Sequence, residues 1–199
     1  MIDDPFRQWL ARSWSAPAVA LHRAGITANQ VTVVAAVLGV TAAALVAVQL
    51  TWFGISLWLM SRLLDGYDGM LARLASSSSL YGGYLDITLD MLAYTAMAIA
   101  FAIAMPADVL LWMLVLLGYV LAITTTLALS SLAEKADRQL GDDRSLRFTR
   151  ALAEGGETTI VYVVIALAPS VSRYALVVWI ALLAITVVQR TALARRLLS

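Results

Sequence analysis

The chain has 199 residues, 61% of them hydrophobic and only 14% charged, and its mean hydropathy is +0.83. Soluble domains hold about 45–50% apolar and about 25% charged residues, so a water-soluble globule is excluded. A net charge of +1, no cysteine and a single histidine, His22, offer no electrostatic footprint for nucleic acid, no thiolate chemistry, and almost no room for histidine-based catalysis.

In chain order, residues 1–26 read as a lead-in. Phe6, Leu10 and Trp14 recur at i, i+4 and i+8, with Arg7 and Arg12 elsewhere on the surface. That pattern predicts a short amphipathic helix over Asp3 to Trp14, lying in the membrane interface with its apolar face down. No continuous apolar h-region is present, so no cleavable signal peptide is expected. Residues 27–199 form one all-α membrane domain. A span needs roughly 20 apolar residues, and six transmembrane helices are expected over 29–50, 53–74, 80–104, 107–131, 156–169 and 171–192. Thr27 is the expected N-cap of the first, and Pro106 and Pro169 punctuate two connections. Ser76 to Ser79 form a polar turn. The fifth span is short, and its start could lie upstream near Ala151. Trp52, Trp58, Trp112 and Trp179 read as interfacial or lipid-facing anchors.

Arginine and lysine set the orientation. Arg7, Arg12 and Arg23 precede the first span, and Arg73 closes the second. Lys135, Arg138, Arg144, Arg147 and Arg150 fall between the fourth and fifth, and Arg190, Arg195 and Arg196 follow the sixth. With six spans all of these lie on one side, which the positive-inside rule makes cytoplasmic, both termini included. Only Arg173 falls on the other side, and Arg62 lies within the second span. The expected location is a prokaryotic inner or plasma membrane.

Asp65 and Asp68 lie inside the second span, Asp86 and Asp90 inside the third. A carboxylate at mid-bilayer costs about 2.5–3.5 kcal/mol on insertion scales, so such groups are functional candidates by default. At about 100° per residue, Asp65, Asp68, Gly69 and Ala72 share one face, and Gly82, Asp86, Asp90 and Ala93 share one stripe. A tight turn makes the two helices antiparallel neighbours whose acidic faces converge, and Gly69, Ala72, Gly82 and Gly83 keep the surrounding wall low. Four carboxylates without histidine or cysteine favour Mg²⁺ or Mn²⁺, or a pair of such ions, with Asp68 and Asp86 placed to bridge. A two-metal centre suits phosphoryl chemistry. The same acids also suit a cation transporter or proton relay, and Arg62, three residues before Asp65, is placed to form a structural ion pair.

Residues 65–90 read D-G-Y-D-G-M-L-A-R-L-A-S-S-S-S-L-Y-G-G-Y-L-D-I-T-L-D. This resembles the signature of the CDP-alcohol phosphotransferase family, D-x2-D-G-x2-A-R-x8-G-x3-D-x3-D. Every specified position matches: Asp65, Asp68, Gly69, Ala72, Arg73, Gly82, Asp86 and Asp90. The stretch Thr27-Ala28-Asn29-Gln30-Val31-Thr32 is similar to the family's Thr-Pro-Asn-x-x-Thr lead, with Ala28 in place of the proline. The resemblance implies transfer of a phosphatidyl-type group from a CDP-linked lipid to a small alcohol acceptor, with release of CMP, by a homodimer among membrane lipids. It implies metal ligation by Asp65, Asp68 and Asp86, with Asp90 contributing, and Asp90 as the general base. Gly69, Ala72 and Gly82 become the nucleotide wall, with Arg73 near the phosphates or bracing the acids, and Asn29 and Thr32 on the nucleotide side.

Two signals bear on the acceptor. Lys135, Arg138, Arg147 and Arg150 would suit an acceptor phosphate, although the positive-inside rule alone demands basic residues there. Glu154 and Glu157 would suit a cationic or hydroxyl-rich acceptor, or simply a helix N-terminus. The acceptor stays open.

Overall fold

The computed structural model describes residues 19–21, 23–74, 79–135 and 155–198. Every regular element among them is helical: α1 (Ala28–Ala47), α2 (Thr51–Leu74), α3 (Leu80–Ala104), α4 (Val109–Lys135), α5 (Gly155–Leu167) and α6 (Ser172–Leu198). Four helical stretches, Ala28–Ala47, Leu80–Ala104, Pro106–Lys135 and Pro169–Leu198, are long and apolar enough to cross a membrane. The other two expected spans fall short on these grounds for separate reasons. α2 has the length but carries Arg62, Asp65 and Asp68. α5 has 13 residues, fewer than the roughly 20 a full crossing takes. The expected N-terminal amphipathic helix lies outside the described residues, as do His22, Ser76 and Glu154.

The helix ends follow local chemistry. Thr27 caps α1 in a reciprocal box: the Gln30 N–H donates to Thr27 Oγ1 at 3.3 Å, and the Thr27 N–H donates to Gln30 Oε1 at 2.9 Å. Ser79 caps α3 by accepting the Gly82 N–H at 2.9 Å. Pro106 and Pro169 each open a single 3₁₀ turn, at Pro106–Asp108 and Pro169–Val171, before the next helix begins.

The chain divides into two compact units, 1–106 and 107–199. In the first, α1 packs closely against both α2 and α3. Its buried face is nearly all small or β-branched: Val31, Thr32, Ala35, Ala36, Gly39, Ala42, Ala43 and Val46. Small residues let helix backbones approach where no hydrophobic effect drives association. Gly54 marks the tightest approach, since a Cβ there would lie 2.6 Å from Val46 Cγ2 and 2.8 Å from the Ala42 carbonyl oxygen. Among the described residues, α2 and α3 meet chiefly through long side chains: Trp58 meets Tyr94 edge to face at 5.4 Å, and Arg62 reaches Asp90.

In the second unit α6 packs against α4 and α5. Tyr119 and Tyr162 pair their hydroxyls at 2.9 Å, and Trp179 Nε1 donates to the Tyr119 hydroxyl at 3.2 Å. Three tryptophans depart from the sequence expectation. Trp58 and Trp112 are 0% exposed and Trp179 1%, whereas Trp52 is 68% exposed. Only Trp52 is placed as a lipid-facing anchor. The other three fill helix–helix contacts, where a large ring gains most from burial, and the Trp179 N–H also finds the Tyr119 hydroxyl. Arg190, inside the limits 171–192 expected for the last span, is buried within α6 and donates to the Ala122 carbonyl at 2.7 Å rather than standing free among the basic residues that follow it. Arg173, expected on the opposite side from the other basic residues, is bound to Asp108 at 2.8 Å.

Candidate metal and nucleotide site

The site lies in the first unit. One carboxylate oxygen from each of Asp65, Asp68 and Asp86 falls within 4.8 Å of the others. Helical periodicity places Asp65 and Asp68 on one face of α2, and the capped start of α3 sets Asp86 opposite them. Asp68 is buried at 7% exposure. Its Oδ2 accepts a 2.6 Å hydrogen bond from Thr32 on α1, whose hydroxyl also reaches the Ala28 carbonyl at 3.1 Å. The donor set is all oxygen and its members are close enough to share a cation, so the residues fit a hard divalent ion such as Mg²⁺ or Mn²⁺.

Asp90 stands outside that triad. Its Oδ1 accepts from Arg62 Nη1 at 2.5 Å, while Arg62 is 3.8 Å from Asp65. The expected Arg62–Asp65 pair is present, but Asp90 is the nearer partner. Asn29 and Gly82 come together as well: a Cβ on Gly82 would lie 3.0 Å from Asn29 Oδ1 and 3.1 Å from Ser79 Oγ. Asn29, Thr32, Asp68 and Gly82 therefore line one region where α1 meets the ends of α2 and α3. Gly69 and Ala72 follow Asp68 on α2.

Lys135 is the exposed last residue of α4 and Glu157 stands in the first turn of α5, both in the second unit. Arg138, Arg147 and Arg150 lie outside the described residues, as does the side chain of Arg73.

Sequence reasoning missed the part played by α1 in orienting the acids. Thr32 is expected on the nucleotide side, and its hydroxyl, on a helix whose other polar residues are Asn29, Gln30 and Thr41, was the available signal. It also missed Ser61, buried at 0% exposure, whose hydroxyl donates to the Ala35 carbonyl at 2.7 Å.

A set of apolar helices around an oxygen-only acidic triad defines a membrane protein with a site suited to a divalent cation. The chain belongs to the CDP-alcohol phosphatidyltransferase family, whose profile matches residues 25–189. It is 33% identical over 155 residues to the inner membrane protein YnjF of Escherichia coli strain K12, covering 75% of this chain and 74% of that one. Over 65 residues it is 46% identical to the bifunctional IPC transferase and DIPP synthase of Thermococcus kodakarensis, a match to 33% of this chain but only 15% of that protein. The fold resembles that of Mycobacterium tuberculosis phosphatidylinositol phosphate synthase, PgsA1. The complex of PgsA1 with manganese and citrate aligns at a TM-score of 0.69 and 21% identity, over 90% of this chain and 88% of that one. The form with CDP-DAG bound aligns at 0.69 and 22%, over 92% and 94%.

Proposed function

We propose that the chain transfers a phosphatidyl-type group from a CDP-linked lipid, such as CDP-diacylglycerol, to an alcohol acceptor and releases CMP. The observation that carries this reading is the acidic triad of Asp65, Asp68 and Asp86, set beside Thr32, Asn29 and Gly82. Asp65, Asp68 and Asp86 hold one or two Mg²⁺ or Mn²⁺ ions. Bound there, such ions would supply the positive charge that offsets the donor pyrophosphate and the departing CMP in a low-dielectric site. Asn29, Thr32, Gly69, Ala72, Arg73 and Gly82 flank the nucleotide, the glycines leaving room for it against the backbone.

Asp90 acts as the general base. It takes the proton of the acceptor hydroxyl as that oxygen bonds to the lipid-bearing phosphorus and the pyrophosphate link to CMP breaks. Placing the hydroxyl in line supplies the proximity contribution. The membrane setting follows from the substrates, because donor and product carry long apolar chains. The proposed topology keeps six membrane segments, of which α5 is the shortest, with both termini and the site cytoplasmic, and a homodimer is the assembly expected.

The first acceptor to test is an inositol phosphate. Two relatives carry names of that kind, a phosphatidylinositol phosphate synthase and an IPC transferase, and Lys135, Arg138, Arg147 and Arg150 suit a phosphorylated alcohol. The test is CMP release from CDP-diacylglycerol by the purified protein with Mg²⁺. The panel holds inositol phosphate, glycerol-3-phosphate, inositol, serine and choline. Acceptor-dependent CMP establishes the reaction and its head group. Silence across the panel, with CDP-lipid and CMP also failing to bind, refutes it.

A further inference from the structure

Arg62 is more elaborately held than the neutralisation of Asp65 requires. Its guanidinium lies in the angle between two rings, with Cζ 4.7 Å from the Trp58 centroid and 4.9 Å from that of Tyr94. Nη2 donates to Ser61 Oγ at 3.1 Å, and Ser61 passes the link to the Ala35 carbonyl at 2.7 Å. Gly39 leaves space for this arrangement: a Cβ there would lie 3.1 Å from Ser61 Oγ and 3.7 Å from Arg62 Nη2. Nη1 then donates to Asp90 Oδ1 at 2.5 Å. A continuous path thus runs from the backbone of α1, through α2, to one oxygen of Asp90 on α3. Exposed ion pairs on long side chains exchange freely. This guanidinium is confined by two rings and a buried hydroxyl, and its planar fork sets a direction that an ammonium would not.

The consequence concerns how the four carboxylates divide their work. Asp90 follows Asp86 by one turn of α3, so the two are neighbours on one stripe. A carboxylate committed to a divalent ion is lost as a base. We infer that Arg62 is a positioning residue for the transfer reaction, holding Asp90 apart from Asp65, Asp68 and Asp86 and aimed as the base. This inference rests on the functional reading above, and it assigns the arginine a task beyond charge balance.

The test compares the full-length wild type with Arg62→Met, which keeps the bulk and a favourable sulfur–ring contact, and with Arg62→Lys, which keeps the charge. Two readouts are taken: Mn²⁺ binding by electron paramagnetic resonance without substrate, and kcat and KM with CDP-diacylglycerol and the acceptor. Arg62→Met is expected to lower kcat about 100-fold, the scale of a misplaced general base, with both KM values within about 3-fold of wild type. It should bind Mn²⁺ at least as tightly, because a cation is removed and Asp90 is released towards the triad. Arg62→Lys should be intermediate, about 10-fold down in kcat, because the fork is lost and the charge is not. Wild-type kcat in either variant overturns the inference. So does weaker Mn²⁺ binding in step with the loss of activity, which is the mark of an architectural role. Should Arg62→Met fail to fold, the Lys variant decides by the same criteria. If the wild type itself releases no CMP, the functional reading fails, while the Mn²⁺ comparison still tests the tether.

Discussion

Thr32 on α1 donates a 2.6 Å hydrogen bond to Oδ2 of Asp68 on α2, joining positions 36 residues apart. The bond orients the most buried acid of the triad from a helix that carries no acid of its own. Hydrogen bonds of this kind fix a ligand's direction, and their loss costs about 10–100-fold in metal affinity. Thr32→Val, which keeps the shape of the side chain, is therefore expected to weaken Mn²⁺ binding by about 10-fold with little change in thermal stability. Asp68→Asn should weaken it further. A Mn²⁺ titration followed by electron paramagnetic resonance reads both, and unchanged affinity in Asp68→Asn would remove that residue from the metal set.

Asp90→Asn separates base from ligand. With Asp65, Asp68 and Asp86 intact, the variant should still bind Mn²⁺ and CDP-diacylglycerol within a few-fold of wild type, while kcat falls by about 10²–10⁴. Steady-state CMP release together with equilibrium binding of the CDP-lipid distinguishes the two effects. Full turnover in Asp90→Asn would assign the proton to another group.

Gly82→Ala probes the space beside Asn29. The new methyl would lie 3.0 Å from Asn29 Oδ1, tighter than ordinary contact, so the amide must shift. The expected result is a raised KM for the CDP-lipid with a small change in melting temperature. Gly54→Ala is the structural counterpart. Its methyl meets Val46 and the backbone of Ala42, which cannot yield as a side chain can. A loss of about 1–3 kcal/mol is expected, seen as a lower Tm in detergent with kcat per folded molecule unchanged.

Tyr119→Phe tests the buried polar link of the second unit. It deletes the hydroxyl shared by Tyr162 and Trp179. Hydrogen bonds between membrane helices contribute about 0.6 kcal/mol each on average, and a buried donor that loses its acceptor costs about 1–3 kcal/mol. A destabilisation of about 1–2 kcal/mol is expected from thermal unfolding, with the Mn²⁺ affinity of the first unit untouched.

The absence of cysteine makes orientation directly measurable. Single substitutions Ala107→Cys and Lys135→Cys bracket α4. In intact cells a membrane-impermeant maleimide should label the first and not the second. Labelling of Lys135→Cys alone would reverse the orientation proposed from the basic residues, and labelling of both would refute a crossing by α4.

Much of the molecule was legible in the residues themselves. The limits expected for the second and third elements, 53–74 and 80–104, match the helices Thr51–Leu74 and Leu80–Ala104 closely, although only the latter is apolar enough throughout to count as a span. The bilayer demands long apolar runs, and caps and prolines mark their ends by local chemistry. The placement of Asp65, Asp68 and Asp86 was legible for the same reason, since helical periodicity is a property of one segment at a time.

What periodicity leaves open is which helix stands between two others. Wedging of α1 against both α2 and α3 was decided by its small-residue face, and that decision recruited Thr32, Ala35 and Gly39 to the service of acids on other helices. The grouping of the carboxylates, with Asp65, Asp68 and Asp86 close together and Asp90 held by Arg62, was decided at the same level. So was the burial of Trp58, Trp112, Trp179 and Arg190. A run of apolar letters reads alike whether it faces lipid or another helix, because lipid tails and side chains are equally apolar. Sequence therefore determined the elements, their order and the chemistry available to them. Packing alone decided which oxygen accepts from which donor, because that depends on distances across helices that no single segment encodes.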